Sequence, residues 1–371
     1  MRNQSSAPPD GIVVAAGYGL KIYVDRGHLV IHDGVGRQRQ TVRLARATSG
    51  LQRLVVIGHS GFVTLEALRW VRDVGAAFVQ IDSDAEVIAV SSAERSHKSA
   101  LRRAQSHAAQ SAAGREAMRA LIAAKLDRQL ETVCDLAPRL GDLTRFGYMP
   151  RDPIPTVLQR QRDALKKAGT LDDIRACEAV AGRWYWHTLA HVPIAFETSW
   201  ARHVPEHWHW AGTRTTVLSS YKSSRKAATP LHAMANYAYA ILETEAMIVL
   251  HAYGFDPTIG ILHTDKRYRG SLAHDLIEPV RPIADRLLLD YVSDHPFARG
   301  ELLETREGAC RLGAPLARRL ASWAPDFRAA LTEHAQTLAE ALDPTTASRR
   351  PAHKRTPKTA GKGARRRTAP A

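Results

Sequence analysis

Residues 77–109 decide the fold: Ala77-Phe-Val-Gln-Ile81-Asp-Ser-Asp-Ala-Glu-Val87-Ile-Ala-Val90, and soon afterwards Lys98-Ser-Ala-Leu-Arg-Arg-Ala-Gln-Ser-His-Ala-Ala109. The first part is two short Val/Ile-rich runs split by the polar turn Asp82–Asp84, the pattern of strands. The second is Ala/Leu-rich with apolar residues at helical spacing. Upstream, further strands are predicted at Ile12–Ala16, Leu20–Val24, His28–His32, Gln40–Ala45 and Arg53–Ile57, punctuated by Gly17 and Asp33-Gly34. One helix interrupts them, Leu65–Val74, with Leu65, Leu68 and Trp70/Val71 on a stripe. Short strands at this spacing predict a small β-sandwich over 12–92. Downstream, helical text runs through Lys98–Ala109 and, past Gly114, Glu116–Val133, and resumes near Val157–Ala168 after several prolines. The fold class is α+β: an N-terminal β-sandwich followed by an all-α domain over 97–343 and a basic tail over 344–371.

The 371 residues carry 52 Lys+Arg against 37 Asp+Glu, a net charge of +15, with 44% hydrophobic residues. That composition is globular. No apolar run is long enough to span a bilayer, and Met1–Asp10 has no apolar signal region. Cys134, Cys177 and Cys310 are odd in number and far apart, which argues against a disulfide framework or a CxxC zinc site and for a reducing cytoplasm. Residues 344–371 hold nine Lys/Arg and no acid, so the remainder carries 43 basic against 37 acidic residues, only +6. Without large apolar residues this tail is predicted to be disordered. Within the body, 97–128 holds seven basic and two acidic residues, and 207–242 holds no acid. Both are candidate nucleic-acid surfaces.

Polar residues on apolar faces carry the chemistry. Thr170 is placed to cap a helix whose stripe is Ile174, Cys177, Ala181 and Trp184/Tyr185, and Glu178 falls on that stripe. Thr229-Pro230 starts a second helix, apolar on nearly every side to Leu250 and stopped by Gly254. The densest stretch follows: Gly260-Ile-Leu-His263, the basic loop Lys266, Arg267 and Arg269, then a helix from Ser271 projecting Asp275, Glu278 and Arg281 on one face. One imidazole and two or three carboxylates on separate elements suit Mg²⁺ or Mn²⁺ better than zinc. A divalent ion among Lys and Arg suits phosphodiester chemistry. A Glu ion-paired at a stripe's margin and a solvated Asp/Glu/Arg face remain the bland alternatives. His203, His207 and His209 form a further His-rich group, better explained as a surface loop than as a zinc site.

These stretches resemble the CRISPR-associated spacer-acquisition integrase family, the first numbered Cas protein. The resemblance rests on Glu178-Ala-Val-Ala-Gly-Arg-Trp-Tyr-Trp186, Asn236-Tyr-Ala-Tyr239-Ala-Ile-Leu-Glu243, and Gly260-Ile-Leu-His263-Thr leading into Ser271-Leu-Ala-His-Asp275-Leu-Ile-Glu278-Pro-Val-Arg281-Pro282. It covers roughly residues 12–340 and implies that the helical domain is catalytic. Carried over by position, the metal ligands are Glu178, His263 and Glu278, with Asp275 as an additional acid of the catalytic site. The implied reaction joins a DNA 3′-hydroxyl to a phosphodiester of a repeat, with double-stranded DNA (pre-spacer and repeat) as substrate. The implied assembly is a homodimer, two of which are bridged by the second Cas protein. Departures are His232, where the family often has Asn, the His/Trp-rich segment after His187, and the basic tail. Two alternatives stay open: a casposon-type integrase with the same catalytic domain, and a catalytically silent DNA-binding module.

Lys222, Arg225, Lys226, Lys266, Arg267 and Arg269 are the expected DNA contacts, all in acid-poor surroundings near the candidate ligands in motif order. Arg281 is expected to orient Glu278. Replacing Arg225 by Ala is predicted to weaken DNA binding similarly across sequences and to lower the salt slope by about one. Filter binding over a salt series measures this, and an unchanged slope removes Arg225 from the contact set.

Overall fold

The computed structural model describes residues 3–4, 11–33, 40–82, 84–91, 98–213, 226–265 and 270–343. The basic tail beyond 344 lies outside them. The first part of the chain supplies β1 (Asn3–Gln4), β2 (Ile12–Ala16), β3 (Leu20–Asp25), β4 (His28–Asp33), β5 (Gln40–Leu44), β6 (Arg53–Ile57), β7 (Gly61–Val63), α1 (Leu65–Asp73), β8 (Ala77–Ile81) and β9 (Val87–Ser91). They form two sheets, ordered β1-β5-β4-β3-β7 and β2-β6-β8-β9.

Val13, Ala15, Leu54 and Val56 of the second sheet share a core with Ile22, Leu29, Ile31, Val42 and Leu44 of the first. The alternate residues Ile12, Val55, Ala77, Val79 and Ile81 belong instead to the core of the helical body. Thus the second sheet is covered on both faces. This explains why its strands read as nearly continuous apolar runs and why β2, β6 and β8 pair in parallel, an arrangement that suits sheets buried on both sides. The predicted stripe of α1 is rotated: Ala67, Trp70 and Val71 are buried, while Leu65 and Leu68 are exposed. β7 was not legible as a strand. Its Gly61 has φ +137° and a Cβ there would stand 2.1 Å from the Leu20 carbonyl oxygen, so only glycine lets this segment close on β3.

The helical body contains α2 (Ser99–His107), α3 (Ala112–Leu140), α4 (Ile154–Leu165), α5 (Leu171–Leu189), α6 (Thr198–Ala201), α7 (Pro230–Tyr253), α8 (Ser271–Ile277), α9 (Arg281–Asp294), α10 (Ala314–Ala321) and α11 (Ala324–Leu342). It is not all-α: β10 (Leu302–Glu304) and β11 (Cys310–Leu312) form an antiparallel hairpin that packs on α7. α2 and α3 are separated by a short 3₁₀ turn, with Ser111 accepting the Gly114 N–H as an N-cap. A Cβ on Gly114 would lie 2.0 Å from the Ala108 carbonyl oxygen, so this tight junction requires glycine. The Ser271 helix is also two helices. It stops at Glu278-Pro279-Val280, because Pro279 has no N–H to continue the ladder, and α9 restarts with Pro282 in its first turn. No helix among the described residues is long and apolar enough to cross a membrane.

α7 is the axis, with 19 of its 24 residues buried. Its one buried carboxylate, Glu245, is held by Arg53 of β6 at 3.3 Å and Arg328 of α11 at 2.6 Å. This triad ties the strands to the helices inside a continuous core. Removing Glu245 strands two guanidinium groups, and breaking a buried pair costs about 3–5 kcal/mol. Glu245→Ala is therefore expected to lower unfolding free energy by roughly 3 kcal/mol or more in urea denaturation; an unchanged midpoint contradicts the latch.

Candidate active site

α5 begins with a complete capping box: Thr170 Oγ1 accepts the Asp173 N–H at 3.1 Å, and Asp173 returns a carboxylate to the Thr170 N–H at 2.9 Å. That start sets the helical phase so that Ile174, Cys177, Ala181 and Tyr185 are buried and Glu178 stands at the stripe's edge, its side chain 30% exposed. On α8, Asp275 is 1% exposed, and Glu278, at the helix end, is 3% exposed. Neither belongs to a solvated face.

Asp275 and Glu278 do different work. The Asp275 carboxylate accepts the backbone N–H groups of Ile261, Leu262 and His263 at 2.7, 3.0 and 2.9 Å. It also lies 2.6 Å from His263 Nδ1. Because a carboxylate oxygen accepts there, Nδ1 carries a proton, and in the neutral ring Nε2 is then the nitrogen with the lone pair. That nitrogen lies 4.0 Å from Glu278 Oε1. Arg175 of α5 ties down the same loop by donating to the Leu262 carbonyl at 2.8 Å. Glu278 accepts from Arg281 at 2.7 Å, as expected for an orienting arginine.

Lys125 of α3 occupies the centre. Its ammonium donates to Glu178 Oε1 and, at 2.6 Å, to Glu278 Oε2, with only 6% of its side chain exposed. Burial opposes its charge, yet Glu278 and Glu178 outweigh that and hold its pKa above the ordinary lysine value. Burial likewise works against Glu278, but Arg281 and Lys125 pull its pKa down to about 2. Among the described residues no three His, Cys, Asp or Glu side chains close on one another as a ready metal cluster. Glu178 and Glu278 converge on an ammonium instead, with His263 Nε2 beside them. Two carboxylates that share one cation, with an imidazole nitrogen next to the second of them, are a donor chemistry that fits a hard divalent ion.

Lys125 also lines a cavity of about 340 Å³, together with Gln129, Glu178, Tyr239, Arg281 and Asp285. Asp285 accepts from Tyr185 at 2.9 Å and Tyr239 at 2.5 Å. Burial raises its pKa to about 6 despite these hydrogen bonds. Sequence reading missed Lys125, Gln129 and Asp285. The signal was available for Lys125 and Gln129, which lie in phase with Met118, Leu121, Ile122 and Leu126 on the buried face of α3.

Of the six expected DNA contacts only Lys226 lies among the described residues. Of the seven basic residues in 97–128, four serve the protein itself: Arg102, Arg119 and Arg128 donate to the carbonyls of Gly254, Ala168 and Pro279, and Lys125 is buried. Lys226 lies 3.5 Å from Glu307. Lys222, Arg225, Lys266, Arg267 and Arg269 lie outside the described residues. His207 approaches the Ala228 carbonyl at 3.2 Å and the His209 ring packs on Phe196, the roles of a folded loop.

The family model described as CRISPR associated protein Cas1 matches residues 13–323. The CRISPR-associated endonuclease Cas1 1 of Archaeoglobus fulgidus is 25% identical over 309 residues, covering 81% of this chain and 83% of its own. Among solved structures, a casposase bound to integration product superposes with a TM-score of 0.70 at 20% identity, covering 89% of this chain and 90% of its own. A Cas6-RT-Cas1–Cas2 complex superposes with a TM-score of 0.65 at 15% identity, covering 94% of this chain and 36% of that one. At these identities the structural likenesses establish the fold.

Asp285 generates a pH prediction. Its unfolded pKa is about 3.9, so between roughly pH 4 and 6 the folded state keeps a proton that the unfolded chain has lost. This group's contribution to unfolding free energy therefore falls as pH rises through that window. Relative to Asp285→Asn, the unmodified protein is expected to lose stability between pH 4 and 7 in urea titrations. Parallel profiles for the two proteins contradict the shifted carboxyl.

Proposed function

Because the chain belongs to the Cas1 family of CRISPR-associated proteins, we propose that it is a metal-dependent DNA endonuclease and integrase that inserts short DNA segments into a repeat array. The observation that carries this reading is that Glu178 and Glu278 both hold the buried Lys125 ammonium, with His263 Nε2 4.0 Å from Glu278 Oε1. A pure DNA binder gains nothing from acids beside phosphates.

Glu178, His263 and Glu278 would hold Mg²⁺ or Mn²⁺. When bound, the metal supplies Lewis acidity that activates a sugar hydroxyl or water and offsets charge on the phosphorane-like transition state. The chain's own residues prepare for that reaction. Asp275 fixes the His263 tautomer and ring direction while anchoring the loop backbone. Arg281 sets the rotamer of Glu278. Asp275 is thus read as a positioning acid, since its oxygens are engaged by four N–H groups.

The proposed partners are pre-spacer and repeat DNA, a second copy of the chain, and Cas2 bridging two dimers. The strand-rich region 12–92 is proposed for dimer and partner contacts, and 97–343 for catalysis and DNA binding, in the cytoplasm. The likeness in fold to a casposase bound to integration product and to a Cas6-RT-Cas1–Cas2 complex supports DNA and Cas2 as proposed partners. The casposase superposition also keeps a second reading, a casposon-type integrase, whose target would be a transposon end's insertion site rather than a CRISPR repeat.

Strand transfer of a labelled duplex into repeat DNA, with Mn²⁺ or Mg²⁺, tests the proposal. Glu178→Ala and His263→Ala are expected to abolish product, and Asp275→Asn to lower the rate about 10–100-fold. Normal activity in either alanine variant sinks the ligand assignment, and equal insertion into targets lacking the repeat favours the casposon reading.

A further inference from the structure

We propose that Lys125 is a positioning residue whose ammonium competes with the divalent cation for Glu178 and Glu278, and that the cation drives it into the adjoining cavity toward Gln129 and Asp285. The inference rests on the reading of Glu178, His263 and Glu278 as metal ligands.

Three observations carry it. First, Lys125 Nζ donates to one oxygen of Glu178 and one of Glu278, the same two groups that would ligate the metal. A divalent ion sits about 2.0–2.2 Å from such oxygens, and an ammonium hydrogen-bonded to both carboxylates cannot share that position with it. Second, the charges already balance: Lys125 and Arg281 offset Glu178 and Glu278. A dication added to this set creates an excess in a buried place, where Coulomb repulsion is only weakly screened.

Third, the displaced group has somewhere to go. Lys125 lines the cavity of about 340 Å³, with Gln129 one helical turn further along α3. Gln129 is 3% exposed, and its Oε1 has no hydrogen-bond partner. Buried acceptors without donors are costly and uncommon. The Asp285 carboxyl lines the same cavity. A lysine stem has enough rotatable bonds to swing between these acceptor sets without moving the backbone. Lys125 thus preorganises the two carboxylates in the free protein and yields them when a stronger cation arrives.

The experiment is isothermal titration of the full chain with MnCl₂, without DNA, with Glu178→Gln as the control that assigns the heat to this site. Lys125→Met is expected to bind Mn²⁺ at least tenfold more tightly than the unmodified protein, because the competitor is gone. Lys125→Arg is expected to bind at least tenfold more weakly, because a guanidinium holds both carboxylates and cannot retract into the cavity. Gln129→Leu is expected to weaken binding about threefold without lowering the melting temperature in EDTA, since it removes a buried acceptor that has no donor. Equal or weaker affinity in Lys125→Met overturns the proposal. Should that variant not fold, unchanged or tighter binding by Lys125→Arg overturns it. If the unmodified protein and Lys125→Met both give no Glu178-dependent heat at millimolar Mn²⁺, the metal reading itself falls and takes this inference with it.

Discussion

A single ammonium draws together parts of the chain that are more than a hundred and fifty residues apart. Lys125 projects from α3 to Glu178 of α5 and to Glu278 at the end of α8. Burial strips Lys125 and Glu278 of water, so each of these two charges is tolerable only because it is paired, while Glu178 meets the ammonium from the partly exposed edge. The packing of α3 against α5 and α9 brings the group together, and the charges in turn restrict how those helices can settle. Neither carboxylate would lie at the edge of an apolar interior without that cation.

Asp275 plays the complementary role on the other side of the site. Three consecutive backbone N–H groups and one imidazole N–H converge on its carboxylate. The loop 261–263 is thereby wrapped around a fixed anion, and the orientation of His263 follows. Glu245 repeats the strategy between β6, α7 and α11. Buried acids clamped by basic or N–H donors recur throughout the interior, as anchors between elements and, in one place, as a site with an imidazole lone pair beside it.

Much of the fold was legible. The strands of 12–91 came from Val/Ile runs between turn residues, and the phase of α5 from Thr170 and its apolar stripe. The β10–β11 hairpin was not legible, because its strands are three residues each and their stability comes from packing on α7. The splitting of the Ser271 helix hinged on Pro279, whose missing N–H outweighs a continuous helical pattern. Leu65 and Leu68 misled for a related reason: apolar residues at the right spacing stay exposed when Ala67 and Trp70 fill the contact first.

The candidate site divides the same way. Glu178, His263, Asp275 and Glu278 stand out because carboxylates and a histidine in apolar or Pro-bounded text contradict their surroundings, and such contradictions are local. Their division into an anchor for His263 and a partner for Lys125 is not local, since it depends on which helix end meets which loop. Lys125 itself reads as one of several basic residues along 97–128, and only the packing of α3 turns it inward. The sequence by itself determined the composition of the elements, the caps and the reactive residues, because these follow from short-range periodicity and residue chemistry. Only the tertiary structure decided which charges meet, because desolvation acts on neighbours in space, and in this chain those neighbours come from opposite ends of the helical region.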